Sequence, residues 1–158
     1  MANLSQTPSH ELHSGRAPEP VGAYPHARRA GDFIFLSGVG PRARGSASIP
    51  GVTQDAAGSV TAEDIELQCR SCFANARAVV EDAGAGWDQV VDATVFLTNM
   101  KRDFATYNRV WAECFAGPGN PNPTRTTLEI KALPTPISVE VKLVVYAPVD
   151  RTETRTGP

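Results

Sequence analysis

The stretch that most constrains this chain is its last apolar run, residues 137–147, where Ile137, Val139, Val141 and Leu143 alternate with Ser138, Glu140 and Lys142. Side chains of a strand point to opposite faces with period two, so this spacing describes a strand with one buried and one polar face. It needs neighbouring strands and a covering layer. Residues 90–98 repeat the pattern, with Val91, Ala93, Val95 and Leu97 set against Asp92, Thr94 and Thr98. Residues 124–131 form a third strand. Residues 32–37 form a fourth, entered by an Ala30-Gly31-Asp32 turn from an earlier strand near residues 27–29.

Two segments change period. From Ile65, apolar residues recur at three and four through Cys69, Cys72, Phe73, Ala76, Val79 and Val80, one helical stripe that Gly84 and Gly86 close. Phe104, Tyr107, Trp111, Cys114 and Phe115 mark a second helix over about residues 103–115, stopped by the Gly- and Pro-rich residues 117–123. The order strand, strand, helix, strand, helix, strand, strand predicts a two-layer α/β or α+β domain with helices covering one face of a sheet.

Composition sets the limits. At 158 residues, 41% hydrophobic and 20% charged, the chain suits a single soluble globular domain. Fifteen Lys and Arg against seventeen Asp and Glu argue against a protein that coats nucleic acid. Three cysteines do not make a disulfide framework. No apolar run is long enough to span a membrane, and the first twenty residues lack a secretory apolar segment, so the expected location is the cytoplasm. Thirteen glycines and thirteen prolines fall largely outside the predicted elements. Residues 1–20 read as a flexible arm and 149–158 as a flexible tail around a domain over 21–148, with an extended loop over 38–60.

The alternation also assigns faces. In residues 124–131, Thr126, Leu128 and Ile130 oppose Arg125, Thr127, Glu129 and Lys131. With the apolar sets beneath the helices, Arg125 and Glu140 are expected together on the uncovered face. Phe96 and Val144 share that polar parity, a mixture suited either to a solvated face with ion pairs or to a subunit interface. An Arg held there is a bidentate clamp for a carboxylate.

Pro123-Thr124-Arg125-Thr126-Thr127-Leu128-Glu129-Ile130, followed by Ile137-Ser138-Val139-Glu140-Val141, resembles the signature of the RidA (YjgF) enamine/imine deaminase family. Val21-Gly22-Ala23-Tyr24, Phe35-Leu36-Ser37-Gly38, Thr94-Val95-Phe96-Leu97 and Phe104-Ala105-Thr106-Tyr107-Asn108 follow the family's order over about residues 18–148. The resemblance implies a chorismate-mutase-like α+β fold: a mixed sheet with two helices packed on one face, assembled as a homotrimer; the sequence does not choose between a trimer and a hexamer of paired trimers. It also implies active sites between subunits and no metal or organic cofactor. By position, Arg125 matches the Arg that grips the substrate carboxylate and Glu140 the acid that positions a water. Tyr24, Ser37, Gly38, Asn108 and Thr127 match pocket positions, and Thr127 stands where the family often has Cys. Residues 38–58, with Asp64-Ile65-Glu66-Leu67-Gln68-Cys69 and Leu133-Pro134-Thr135-Pro136-Ile137, look like the 2-aminomuconate deaminase branch of aromatic catabolism.

That branch implies a dicarboxylate enamine hydrolysed to 4-oxalocrotonate with loss of ammonia. Arg125 would hold the α-carboxylate, and Glu140 would relay protons to and from the water. A second carboxylate invites a second cation, for which Arg42 and Arg44 of the extended loop are candidates, with His26 close after Tyr24. The alternatives are general deamination of 2-imino acids derived from 2-aminoacrylate, and a non-catalytic or RNA-acting role that the negative charge weighs against. The Cys69/Cys72 pair has C-x-x-C spacing but falls on the apolar stripe, which assigns it to packing rather than zinc. Trp87 and Trp111 likewise read as packing residues, and His10 and His13 as solvated residues of the arm.

Overall fold

The structure is a computed structural model that describes residues 9–149. The alternating run is β8 (Val139–Tyr146), with Val139, Val141, Leu143 and Val145 all buried. It lies inside a six-stranded sheet with β1 (Ser9–Leu12), β2 (Ala27–Ala30), β3 (Phe33–Leu36), β6 (Val90–Leu97) and β7 (Thr124–Glu129), in the order β1-β2-β3-β8-β6-β7. β6 and β7 run parallel, joined by a helix as a parallel pair requires, and the other pairs are antiparallel.

Both helices lie on one face, as expected. α1 (Ile65–Asp82) begins where the Asp64 carboxylate accepts from the Leu67 N–H at 3.0 Å. α2 (Met100–Phe115) starts three residues before the apolar spacing suggests, because Asn99 caps it by accepting from the Arg102 N–H at 2.9 Å. Cys69, Cys72, Phe73, Ala76, Val79 and Val80 of α1 meet Tyr107, Val110, Trp111 and Phe115 of α2 over the buried side of β6 and β8. Each such Val, Leu or Phe contributes about 1.5–3 kcal/mol by leaving water.

Three expectations change. The predicted arm over residues 1–20 is built into the domain from Ser9, since β1 pairs along β2 and Ala17 is buried. Its anchors are remote: the Ser14 hydroxyl donates to Asp82 Oδ2 at 2.6 Å, and Arg16 pairs with Asp82 and Glu81. Contacts across more than sixty residues leave no local pattern. Residues 1–8 and, from the predicted tail, 150–158 lie outside the described residues.

Second, the extended loop over 38–60 carries β4 (Val52–Gln54), which pairs with β5 (Val60–Glu63) in a separate hairpin. The Asp55 carboxylate closes its turn by accepting from the N–H groups of Ala57 and Ser59, both at 2.9 Å. At Gly51, with φ +77°, an added Cβ would lie 2.4 Å from the Asp64 carbonyl, so no side chain fits where the hairpin meets α1.

Third, Arg125 and Glu140 do not share a face. Arg125 is in register with Ala93 and Thr127 with Val95, both on the helix-covered side. Glu140 is in register with Phe96, which also pairs with Leu128, on the uncovered side. The apolar parity misleads in β7 because β7 is an edge strand. Its helix-facing positions meet polar groups of α2, while Leu128 projects from the open face and is 44% exposed. Phe33, Phe35 and Tyr146 are also exposed there, the apolar mixture of an interface.

Candidate active site

The predicted site residues form two clusters. The first gathers where β3 ends against β8. Val39 bridges to Val141, which brings Gly38 against the Glu140 side chain. A Cβ on Gly38 would lie 2.1 Å from Glu140 Oε1, so the carboxylate occupies the space a side chain would need. Tyr24, Gly38, Gly40, Arg42, Ile137 and Glu140 line a cavity of about 100 Å³ beside it. Glu140 is half-buried and has no hydrogen-bond partner among the described residues. Burial pushes its carboxyl above the usual carboxylate range, and the positive charge of Arg42 works against that shift. A carboxyl without a protein partner, its pKa raised by burial, is suited to hold a water and exchange protons with it.

Ser37 and His26 shape this cluster without opening onto it as free groups. The Ser37 hydroxyl donates to the Pro25 carbonyl at 2.7 Å, and the Ser37 N–H donates to the His26 carbonyl at 2.9 Å. Together they fix the turn that presents Tyr24, which is 42% exposed. His26 is buried, with Nδ1 accepting from the Ser14 N–H at 3.1 Å and Nε2 donating to the Pro18 carbonyl at 3.0 Å. Both ring nitrogens are taken, which assigns His26 to structure rather than to substrate. Arg44 is spent too: it donates to the Ala17 carbonyl at 2.7 Å and pairs with Glu19 at 2.5 Å. Of the two loop arginines only Arg42 reaches the cavity.

The second cluster lies across the sheet, at the seam of β7 and α2. The Arg125 guanidinium donates to Asn108 Oδ1 at 3.0 Å and stands over the rings of Tyr107 and Trp111, at 5.3 and 5.0 Å. The Tyr107 hydroxyl meets Thr127 Oγ1 at 3.0 Å. No acidic side chain pairs with Arg125 among the described residues. This cation is oriented by an amide and two aromatic faces and has the geometry of a guanidinium clamp for an anion. The platform of Tyr107 and Trp111 was legible only as helix packing; the i, i+4 spacing of the pair around Asn108 is the signal that could have revealed it.

Remaining groups divide as their surroundings dictate. The Cys69 thiol is pushed up to about 12 by burial, and Cys72 is raised by burial while donating to the Val39 carbonyl at 3.1 Å. Both are packing residues. Among the described residues there is no group of three or more His, Cys, Asp or Glu side chains placed to hold a metal ion. Nor is any helix among them long and apolar enough to cross a membrane.

Comparison with known proteins decides the ancestry. The family model described as Endoribonuclease L-PSP matches residues 14–147. A RutC family protein of Pyrococcus horikoshii is 34% identical across 82% of this chain and 91% of its own length. The chain belongs to the RidA family. Other relatives of this RidA-family chain include the 2-iminobutanoate/2-iminopropanoate deaminase of Dermatophagoides farinae, 31% identical over 88% of this chain and 97% of that protein. Among solved structures, E. coli TdcF with bound serine superposes with a TM-score of 0.74 at 27% identity, over 87% of this chain and 98% of the other. The E. coli YjgF product gives the same TM-score at 26% identity and the same two coverages. The two helices on a mixed sheet are thus the RidA fold.

Proposed function

We propose that this protein hydrolyses the C=N bond of 2-imino acids and their enamine tautomers, with the dicarboxylate 2-aminomuconate as its substrate. One observation carries the reading: an unpaired guanidinium at Arg125 and an unpartnered, proton-hungry carboxyl at Glu140 lie on opposite faces of one sheet. Each is half of a site. A second copy of the chain, packed on the open apolar face, brings the Arg125 of one protomer toward the Glu140 cavity of its neighbour, in a homotrimer or a hexamer of paired trimers.

In that cleft Arg125 grips the α-carboxylate by a charge-assisted, two-pronged contact and fixes the imine carbon. Glu140 takes a proton from the bound water as its oxygen adds to that carbon. Glu140 returns that proton to the nitrogen, giving the tetrahedral carbinolamine; it then takes the carbinolamine hydroxyl proton and passes it to the amine, so that the C–N bond breaks, the ketone forms and ammonia leaves. Tyr24 closes the mouth, and Asn108 and Thr127 hold the Arg125 side in place. Arg42 supplies the cation for the distal carboxylate that distinguishes 2-aminomuconate from a simple imino acid. No step requires a metal or organic cofactor.

A relative that carries the name 2-iminobutanoate/2-iminopropanoate deaminase favours a second, broader reading, in which short monocarboxylate imines are the substrates. Loss of 2-aminomuconate absorbance, measured beside release of ammonia from 2-iminobutanoate, separates the two. For either substrate, Glu140→Gln is expected to lower kcat by about 100-fold or more while KM holds. Unchanged turnover in that variant removes Glu140 from the chemistry.

A further inference from the structure

Residues 14–20 run beside the Glu140 cavity, where Ala17, Pro18 and Pro20 line a neighbouring hollow that shares Tyr24, Gly38, Gly40 and Arg42 with it, and the carbonyls of Ser14, Ala17, Pro18 and Glu19 are claimed by cationic or imidazole donors. Arg44 Nη1 donates to the Ser14 carbonyl at 3.3 Å and to the Ala17 carbonyl at 2.7 Å. His26 Nε2 donates to the Pro18 carbonyl. Arg42 Nη2 donates to the Glu19 carbonyl at 2.5 Å, and the Glu19 carboxylate turns back to Arg44. Sequence explains why the segment can serve this way. Pro18 and Pro20 fix their own φ, hold Ala17 and Glu19 extended, and offer no N–H of their own. The far end is tied by Ser14 and Arg16 to Asp82 at the end of α1.

We propose that residues 14–20 are a specificity strap, in which Arg44 and His26 are positioning residues that set Arg42 over the Glu140 cavity to receive a second anionic group of the substrate. The inference rests on the reading of Arg42 given above and extends it to residues that never touch the substrate. An arginine on an open loop would pay the entropy of ordering its side chain at each binding event; here Arg42 is ordered in advance. The selectivity between dicarboxylate and monocarboxylate then depends on Arg44, although Arg44 does not line the cavity.

The test compares kcat/KM for 2-aminomuconate and 2-iminobutanoate in Arg42→Ala, Arg44→Ala and the double variant. Arg44→Ala is expected to raise KM for the dicarboxylate about tenfold, the worth of one misplaced charge-assisted contact, with a much smaller change for the monocarboxylate. The double variant should be no worse on the dicarboxylate than Arg42→Ala alone, because the two act in series. Additive losses, or equal losses on both substrates in Arg44→Ala, overturn the strap. An Arg42→Ala variant with no selective loss overturns the dicarboxylate reading itself, and that result is read with Arg44 intact. If Arg44→Ala does not fold, Arg44→Lys keeps the charge but not the fork across two carbonyls. It should shift KM in the same direction by about threefold, and wild-type selectivity there counts against the proposal.

Discussion

Arg125 and Glu140 sit on opposite faces of the same sheet, Arg125 beside Ala93 under α2 and Glu140 beside Phe96 on the open side. The proposed site thus draws its two groups from different copies of the chain. Separately inactive Arg125→Ala and Glu140→Gln proteins, unfolded together and reassembled, should therefore regain activity. Random assortment leaves roughly a quarter of the sites with both groups intact. Mixed assemblies as inactive as their parents would place both groups in one protomer's site and contradict the two-copy arrangement.

Gly38 leaves no room for a side chain beside the Glu140 carboxyl, the group we propose activates the water. Gly38→Ala would put a methyl 2.1 Å from Oε1 and 2.7 Å from the Cδ of Glu140, so the carboxyl must swing away. Turnover is expected to fall by about tenfold or more, since small misplacements of a reacting group are costly. The half-buried side chain has open cavity to move into, so the melting temperature should change little. A large drop in Tm with proportionate activity loss would show a folding effect instead.

The raised carboxyl of Glu140 has two pH consequences of known sign. Water activation needs the ionised form, so the acidic limb of kcat/KM should lie above the ordinary carboxylate range. Arg42→Ala, which removes the opposing charge, should move it higher still. For stability the direction reverses. A folded-state pKa above the unfolded one means the native protein binds the proton more tightly, so stability falls as pH rises between the two values. At neutral pH Glu140→Gln is therefore expected to melt at a higher temperature than the wild type, with the advantage vanishing below the unfolded carboxylate pKa. A neutral variant that is less stable across the whole range would contradict this.

Tyr107 supports the Arg125 side of the sheet. It is fully buried, and its hydroxyl meets Thr127 while its ring lies under Arg125. Tyr107→Phe keeps the ring and removes the hydrogen bond, which should cost about 1 kcal/mol and lower Tm by about 2–4 °C. The effect on KM should be small, because the aromatic face remains. A tenfold rise in KM would mean that the hydroxyl itself positions the clamp.

The same residues mark what could be read in advance. The helical stripe from Ile65 and the alternation around Val139 and Val141 are repeated local patterns, and both elements lie where the spacing puts them. In β7 the rule failed. Leu128 and Ile130 look like core positions, yet Leu128 is open and Arg125 faces the helix, because an edge strand is covered by the polar flank of α2 rather than by its stripe. His26 and Arg44 were legible as candidate ligands and proved to be fasteners of residues 14–20, which partnership alone reveals.

By itself, then, the sequence determined the period of each main element and the helix-covered core, and its resemblance to the RidA family supplied the proposed site residues: a guanidinium, a carboxyl and a second cation. Period and core follow from side-chain chemistry and nearest-neighbour spacing, which are local. Only the tertiary structure decided which face each group occupies, that Arg42 and not Arg44 reaches the cavity, and that residues 9–20 belong to the domain. Each of these depends on register between strands or on contacts between distant segments, and pairing geometry across the sheet is not written in any one stretch of chain.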